Sequence, residues 1–327
     1  MRVAVEAVGN RCGGGLCVLL RTVAALSRDP RIARLDVFCS PRAQLAEPLP
    51  ELGNVRWHEG PDHVALRVGW YERGFAGACR RAEADVALCL NAMGRAQIPT
   101  VSVVQQALAL APQRKAVSLA HAARLRVIRS LLLSGCRASR AVVVQTHWMG
   151  EAVHEQLRVQ PRVLPLGLIA HQGGLANRPA LVVAMGGSLP YKNGPVVKRA
   201  LQRVRSADCT LIGEPPRPFA EVEAALQRAR VTLVGSRIES FGLPLVEAFA
   251  FDSAVVAADR PYARDVCDNA ALYFEASNPV AAACRVEELL HDDDLRADFV
   301  ARGRRQLQRL WAKRPYERLV DLLEEHA

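Results

Sequence analysis

The segment RIESFGLPLVEAFAF, Arg237–Phe251, gathers the residue types best suited to chemistry. Glu239 and Glu247 are separated by seven residues, and Phe241-Gly242-Leu243-Pro244 lies between them. Glycine permits a sharp turn and proline suits the first position of a helix. The spacing therefore predicts a loop at Glu239 and a helix opening near Gly242 and Leu243. The free N–H groups of such a helix start, at the positive end of its dipole, form an anion site. Glu247 is expected in the first turn of that helix, near the same mouth. A carboxylate there can accept hydrogen bonds from the hydroxyls of a bound ribose or hexose. A phosphate flanked by two hydroxyl-reading carboxylates has the outline of a nucleotide sugar.

Strands and helices in alternation must position these groups. Apolar runs predict strands at Arg2–Val8, Leu35–Cys39, Val55–His58, Asp85–Leu90, Thr100–Val104, Ala141–Gln145 and Arg162–Gly167. A glycine-rich turn, Gly13-Gly14-Gly15, follows the first strand, and a helix is expected from about Leu16 to Ser27. His171–Pro179 is glycine-rich and polar, and reads as a linker. A second set of strands is expected at Leu181–Gly186, Cys209–Gly213, Val231–Gly235, Ala254–Ala258 and Ala271–Phe274, with helical sequence from about Pro279 to the end, broken near Pro315. The fold class is α/β: two doubly wound, Rossmann-like units facing a cleft, with ligands expected beyond the carboxyl ends of the strands.

Composition supports this frame. A chain of 327 residues that is 50% hydrophobic fits two packed domains and excludes intrinsic disorder. No apolar run reaches the roughly 20 residues that span a bilayer. The start, MRVAVEAVGN, reads as a strand, not as the apolar core of a signal peptide. Nine cysteines without a Cys-x-x-Cys pair argue against a disulfide framework or a zinc cage and favour a reducing cytoplasmic setting. They are expected to be mostly small buried apolar residues. Thr146 is expected to cap a helix, and Asp292–Asp294 to start one and not to bind metal.

The Glu239–Glu247 segment resembles the E-x7-E motif of retaining glycosyltransferases, especially glycosyltransferase family 4. MGGSLPYKNG, Met185–Gly194, resembles that family's phosphate loop, and Gly13-Gly14-Gly15 its N-terminal glycine loop. PLGL, Pro165–Leu168, resembles the interdomain hinge, and WAKRPYERLVDLLEEH the helix that crosses back over the first domain. The resemblance implies the GT-B fold, with an acceptor-binding domain over 1–168, a nucleotide-sugar-binding domain over 169–310 and a returning helix over 311–327. It implies that Glu239 contacts donor-sugar hydroxyls, that Glu247 holds the ribose, and that Lys192 neutralises the diphosphate with the amides near Gly242 and Leu243. Gly186, Gly187, Ser188, Gly213, Arg237, Ser240 and Phe241 complete the implied donor site. The substrate would be a UDP- or GDP-type sugar, transferred by same-face attack without metal or cofactor.

Three departures stand out. Gly187 and Ser188 occupy the place of the family's usual arginine, which Arg237 would replace. Gln105 and Gln106 stand where relatives carry a histidine, and glutamine can bond a hydroxyl but cannot relay a proton. The stretch between Ile212 and Val231 is short by roughly one strand–helix unit.

Charge divides the chain. Residues 1–168 carry 22 basic and 12 acidic side chains, whereas 169–327 carry 21 of each. Between Val86 and Gly150 there are eight basic residues and no acidic one. A helical wheel over Arg114–Arg140 puts Val117, Ala120, Leu125, Val127, Ile128, Leu131 and Leu132 on one arc and Lys115, Arg126, Arg129, Arg137 and Arg140 on the other. Arg114 and Arg124 break the apolar side. This predicts a helix packed on the sheet whose basic face meets solvent, an anionic membrane at its inner face, or a phosphate-bearing acceptor. Nothing resembles a nucleic-acid-binding motif, and aromatics for base stacking are scarce. The expected partners are a nucleotide sugar and a saccharide, lipid-linked or natural-product acceptor. A nucleotide-sugar epimerase and a non-catalytic donor-binding protein are the alternatives.

Overall fold

The computed structural model describes residues 1–110, 119–174, 178–213 and 217–327. The chain divides into two compact units, Met1–Gly167 with Arg314–Ala327, and Leu168–Lys313. The first division falls inside the Pro165–Leu168 segment.

The first unit holds a seven-stranded sheet of β1 (Arg2–Ala7), β2 (Arg34–Cys39), β3 (Val55–Glu59), β4 (Val86–Cys89), β5 (Thr100–Val103), β6 (Ala141–Val144) and β7 (Arg162–Val163). Their order is β3-β2-β1-β4-β5-β6-β7, and every pairing is parallel. β4 and β5 are buried at every residue, as strands covered on both faces must be. The helix Pro315–His326 packs on this unit through buried Leu319, Val320 and Leu323. Arg31 pins it by ion pairs to Asp321 at 2.7 Å and Glu324 at 3.1 Å, and Tyr316 accepts from the Gly167 amide at 3.1 Å.

The second unit holds β8 (Leu181–Met185), β9 (Asp208–Ile212), β10 (Val231–Val234), β11 (Ala254–Ala258) and β12 (Ala271–Phe274). The order is β12-β11-β10-β8-β9, again all parallel. Its core joins Val182, Ala184, Leu233 and Val256 to Val286 and Leu289 of the helix Pro279–His291.

Both sheets reverse their winding direction beside their first strand. In the first, β1 neighbours β4; in the second, β8 neighbours β10. Loops leaving the carboxyl ends at such a reversal diverge and leave a crevice. The sequence motifs sit at these ends: Gly13–Gly15 opens the helix after β1, the Lys192 loop follows β8, and Glu239 follows β10.

All twelve strands form where the apolar runs predict them, although Arg162–Gly167 yields only the two residues of β7. The first helix departs from expectation. It runs Gly13–Leu26, so the three glycines are its first turn and not a preceding loop. The nine cysteines are all free and six are buried. Thr146 caps its helix by accepting from the Met149 amide at 3.3 Å, and Asp292 does so from Leu295 at 2.8 Å.

Candidate active site

Because β8 and β10 are adjacent, the loops that follow them meet. The Lys192 ammonium donates to the Glu239 carboxylate at 2.6 Å, across 47 residues of sequence. Both side chains are largely sheltered, at 31% and 16% exposure. Burial alone would lower the lysine pKa, but attraction to Glu239 and the hydrogen bond outweigh it, and the net shift is upward. Lys192 is therefore a fixed cation at neutral pH. Its ammonium also lies 5.4 Å from the centre of the Tyr191 ring.

The backbone holds this pair firmly. The Arg237 amide donates to the Tyr191 carbonyl at 2.7 Å, tying the two loops directly. Asn193 lies buried between them in the left-handed conformation, φ 58°. Its side-chain amide donates to the carbonyls of Gly235 at 3.0 Å and Ala276 at 2.7 Å, and its oxygen accepts from Arg237 Nε at 3.2 Å. Arg237 is thus held against the Lys192 loop and is exposed. Gly213 adopts φ 124°, and a Cβ there would lie 2.0 Å from the Gly186 carbonyl oxygen. The ends of β8 and β9 come this close only because Gly213 lacks a side chain. Gly187 is buried, and Ser188 is exposed on the same loop.

After β10 the chain turns at Gly242, φ 89°, into the helix Leu243–Ala250. A Cβ on Gly242 would press on the Tyr262 ring and Leu245 at 3.0 Å. Tyr262 is itself buried and fixed by donating to the Ser236 carbonyl at 2.8 Å. No side chain caps the helix start. The amides of Gly242 and Leu243 lie at this helix start, three to four residues beyond Glu239. Three expectations change here. Leu243 is the first helical residue and Pro244 the second. Phe241 and Leu243 are buried, so only their backbone can meet a ligand. Glu247 is the fifth helical residue, one position further in than the proline position suggested and just past the first turn, and is half-buried. Four residues bring it back over the same helix face as Leu243.

Asn193 and Tyr262, which set this geometry, were not singled out by the sequence. The αL preference of asparagine and the Lys-Asn-Gly run were the available signals. Also unforeseen is a cavity of about 760 Å³ at the carboxyl ends of β10, β11 and β12, lined by Arg237, Asp259, Arg260, Arg264, Tyr273 and Glu275 among others. Arg264 there lies 3.7 Å over the Tyr273 ring and pairs with Asp259 at 2.8 Å.

In the first unit Cys12, Gly13 and Gly14 are exposed at a helix start without a side-chain cap. Gln105 does not face solvent freely: its amide donates to the Leu90 carbonyl at 2.7 Å, leaving its carbonyl oxygen for a hydroxyl. Gln106 is half-buried beside it. Beneath this edge lies a buried polar knot. The Glu6 carboxylate accepts from the Val8 amide at 2.8 Å, and the Val8 carbonyl accepts from Tyr71 at 2.7 Å and Asn91 at 3.3 Å. Burial pushes the Glu6 pKa up to about 8, against the opposing bond from the Val8 amide. Among the described residues, no group of three or more His, Cys, Asp or Glu side chains is placed to hold a metal ion.

The basic helix is Leu119–Ala138. Arg114, Lys115 and Val117 lie outside the described residues, as does the side chain of Ala120. Leu125, Leu132 and Cys136 are the buried stripe. Val127 was placed on the apolar arc but is 50% exposed. The helix is rotated so that its stripe centres on the Leu125–Leu132 line, and Arg124 and Val127 both fall outside it. Arg124, Arg126, Arg137 and Arg140 are exposed. Among the described residues no helix is long and apolar enough to cross a membrane.

Residues 169–306 match the family model of glycosyl transferases group 1. The matched residues lie within the second unit. No curated protein matches the sequence. Among solved structures, the chain is similar to sucrose-phosphate synthase from Thermosynechococcus elongatus, with TM-score 0.74 and 15% identity over 99% of this chain and 98% of that one. It is similar to WaaG, a glycosyltransferase involved in lipopolysaccharide biosynthesis, with TM-score 0.73 and 14% identity over 99% of both chains. It is also similar to HepE of Anabaena in complex with UDP and glucose, with TM-score 0.70 and 13% identity over 99% and 100%. The fold is GT-B.

Proposed function

We propose that the protein is a retaining glycosyltransferase that moves a sugar from a UDP- or GDP-type donor to a hydroxyl of a saccharide, lipid-linked or natural-product acceptor. The carrying observation is the Lys192–Glu239 pair, 2.6 Å apart beside an uncapped helix start. A donor diphosphate entering there takes Lys192 and the Gly242 and Leu243 amides as its partners. Glu239, released from the lysine, accepts from the donor-sugar hydroxyls, and Glu247 from the ribose. Arg237 supplies the second cation.

As the bond from the anomeric carbon to the diphosphate oxygen breaks, negative charge grows on the leaving group. Fixed positive groups then stabilise the transition state more than the ground state. The acceptor oxygen attacks the face that the leaving group vacates, and its proton passes to the departing phosphate oxygen. Glu239 acts as a sugar ligand in this reading, not as a nucleophile, and neither metal nor cofactor takes part. The HepE complex with UDP and glucose supports a UDP-type donor, and the WaaG likeness a saccharide acceptor. The exposed arginines of Leu119–Ala138 support residence at the inner face of a membrane, since each adds about 1 kcal/mol near an anionic surface.

The test is a thermal-shift panel of UDP, GDP, ADP and TDP with their sugars, followed by product analysis. Ligand that binds only the folded state raises apparent stability. Transfer or donor hydrolysis with retained anomeric configuration, lost in Glu239→Ala, is expected. Inverted product would overturn the retaining mechanism. Donor binding with no turnover on any acceptor would make the protein a binding module.

A further inference from the structure

A basic cavity outside the candidate active site lies at the other end of the first sheet. The segments entering β5 and β6, with Glu72, enclose a cavity of about 980 Å³. Arg95, Arg137 and Arg140 line it, together with Ser134, Ser139 and Thr100. These residues precede their strands, so the cavity sits at the amino edge, opposite the carboxyl edge that carries Gln105 and Gln106. A ligand here is not a reacting group.

Charge in this cavity is unbalanced. Glu72 is its only acid, and it pairs with Arg95 at 3.2 Å. Ser134 accepts a second bond from the Arg95 guanidinium, which fixes its direction. Arg95 Nε is buried without a protein partner. Arg137 and Arg140 are exposed, and among the described residues neither has an acidic partner. The Arg140 amide, donating to the Thr100 carbonyl at 2.8 Å, ties the two entering segments together. Guanidinium groups gathered around one concavity repel each other unless an anion joins them, and their planar donors match phosphate oxygens in pairs. A cavity of this size accommodates a ligand of sugar-phosphate dimensions.

We infer that this cavity is a second ligand site, which takes a phosphate-bearing molecule on Arg95, Arg137 and Arg140. The ligand is either a soluble phosphorylated saccharide or a lipid head group of the same chemistry, and in both cases it binds apart from the donor.

Isothermal titration of the full chain with inorganic pyrophosphate at low salt tests the site. The donor site also binds pyrophosphate under the proposed function, so the titration is done in Lys192→Ala. The expected result is one retained binding event, weakened tenfold or more by adding Arg137→Ala and Arg140→Ala. Adding Arg124→Ala and Arg126→Ala instead removes equal charge from the same helix but outside the cavity, and should leave the event intact. Vesicles distinguish the sources. A preference for phosphatidic acid over phosphatidylglycerol at matched charge, lost in the Arg137/Arg140 variant, identifies a head group. Pyrophosphate binding without that preference identifies a soluble ligand. An isotherm unchanged by the Arg137/Arg140 pair, or weakened equally by the Arg124/Arg126 pair, would overturn the inference. Failure of the donor reading would appear separately, as no difference between wild type and Lys192→Ala.

Discussion

At the carboxyl edge of the second sheet, a lysine and a glutamate meet at 2.6 Å, sheltered and mutually neutralised. At the amino edge of the first sheet, Arg137 and Arg140 stand exposed, and among the described residues neither pairs with an acid. The two halves of the sequence mirror this contrast, with balanced charge in one and an excess of ten positive charges in the other. Paired charges that can exchange partners suit a site that must release its ligand each turnover. Unpaired cations suit a surface that stays occupied or docked. Removing one member of the first pair should therefore damage chemistry, whereas removing the second set should damage association and leave chemistry intact.

The largest effect is expected at the pair. Glu239→Ala should lower kcat/KM for sugar transfer by about 10²–10³-fold, the range seen when one fixed group that stabilises a transition state is lost. Steady-state kinetics with a saturating acceptor checks it. An effect mostly in KM would place Glu239 in uniform donor binding instead.

The buried carboxyl of the first unit gives the next. The Glu6 pKa, pushed up to about 8, means that the folded state holds a proton the unfolded chain releases near pH 4.5. Stability on this account is complete below that value, falls as pH rises toward 8, and is flat above. Glu6→Gln should remove this slope and gain on the order of 3 kcal/mol at pH 7, at about 1.4 kcal/mol per pH unit. Urea melts from pH 5 to 9 measure it, and identical slopes in both proteins would refute it.

Gly242→Ala should cost roughly 1–3 kcal/mol, because a side chain at φ 89° is strained and meets the Tyr262 ring. Thermal unfolding reads the loss. Tyr262→Phe keeps the ring and removes only the bond to Ser236, so it should cost about 1 kcal/mol. The smallest effect concerns the surface. Arg124→Ala with Arg126→Ala should weaken sedimentation with phosphatidylglycerol vesicles, most clearly at low salt, with transfer to a soluble acceptor unchanged.

Much of this architecture was legible in the residues. Strands buried on both faces are near-continuous apolar runs, so Val86–Cys89 and Ala254–Ala258 announce themselves. The Gly-Leu-Pro turn likewise fixed where a helix must open. What was not legible depends on neighbours. Glycine disfavours helix, so the start at Gly13 follows from packing of Leu16, Val18 and Leu19. The partnership of Lys192 with Glu239 follows from β8 lying beside β10, which no local pattern encodes. Val127 and Arg124 were misplaced because periodicity gives the width of an apolar arc, while the sheet beneath decides its rotation. Glu247 moved one position, just past the first turn, because the proline took the second helical position.

Under the proposed function, Lys192 and the backbone amides at Gly242 and Leu243 hold the donor diphosphate. Titration calorimetry of UDP and GDP against wild type and Lys192→Ala tests it most directly. One of these diphosphates should bind wild type and bind the variant at least tenfold more weakly, while the melting temperature without ligand changes little. Equal affinity in the two proteins would contradict it.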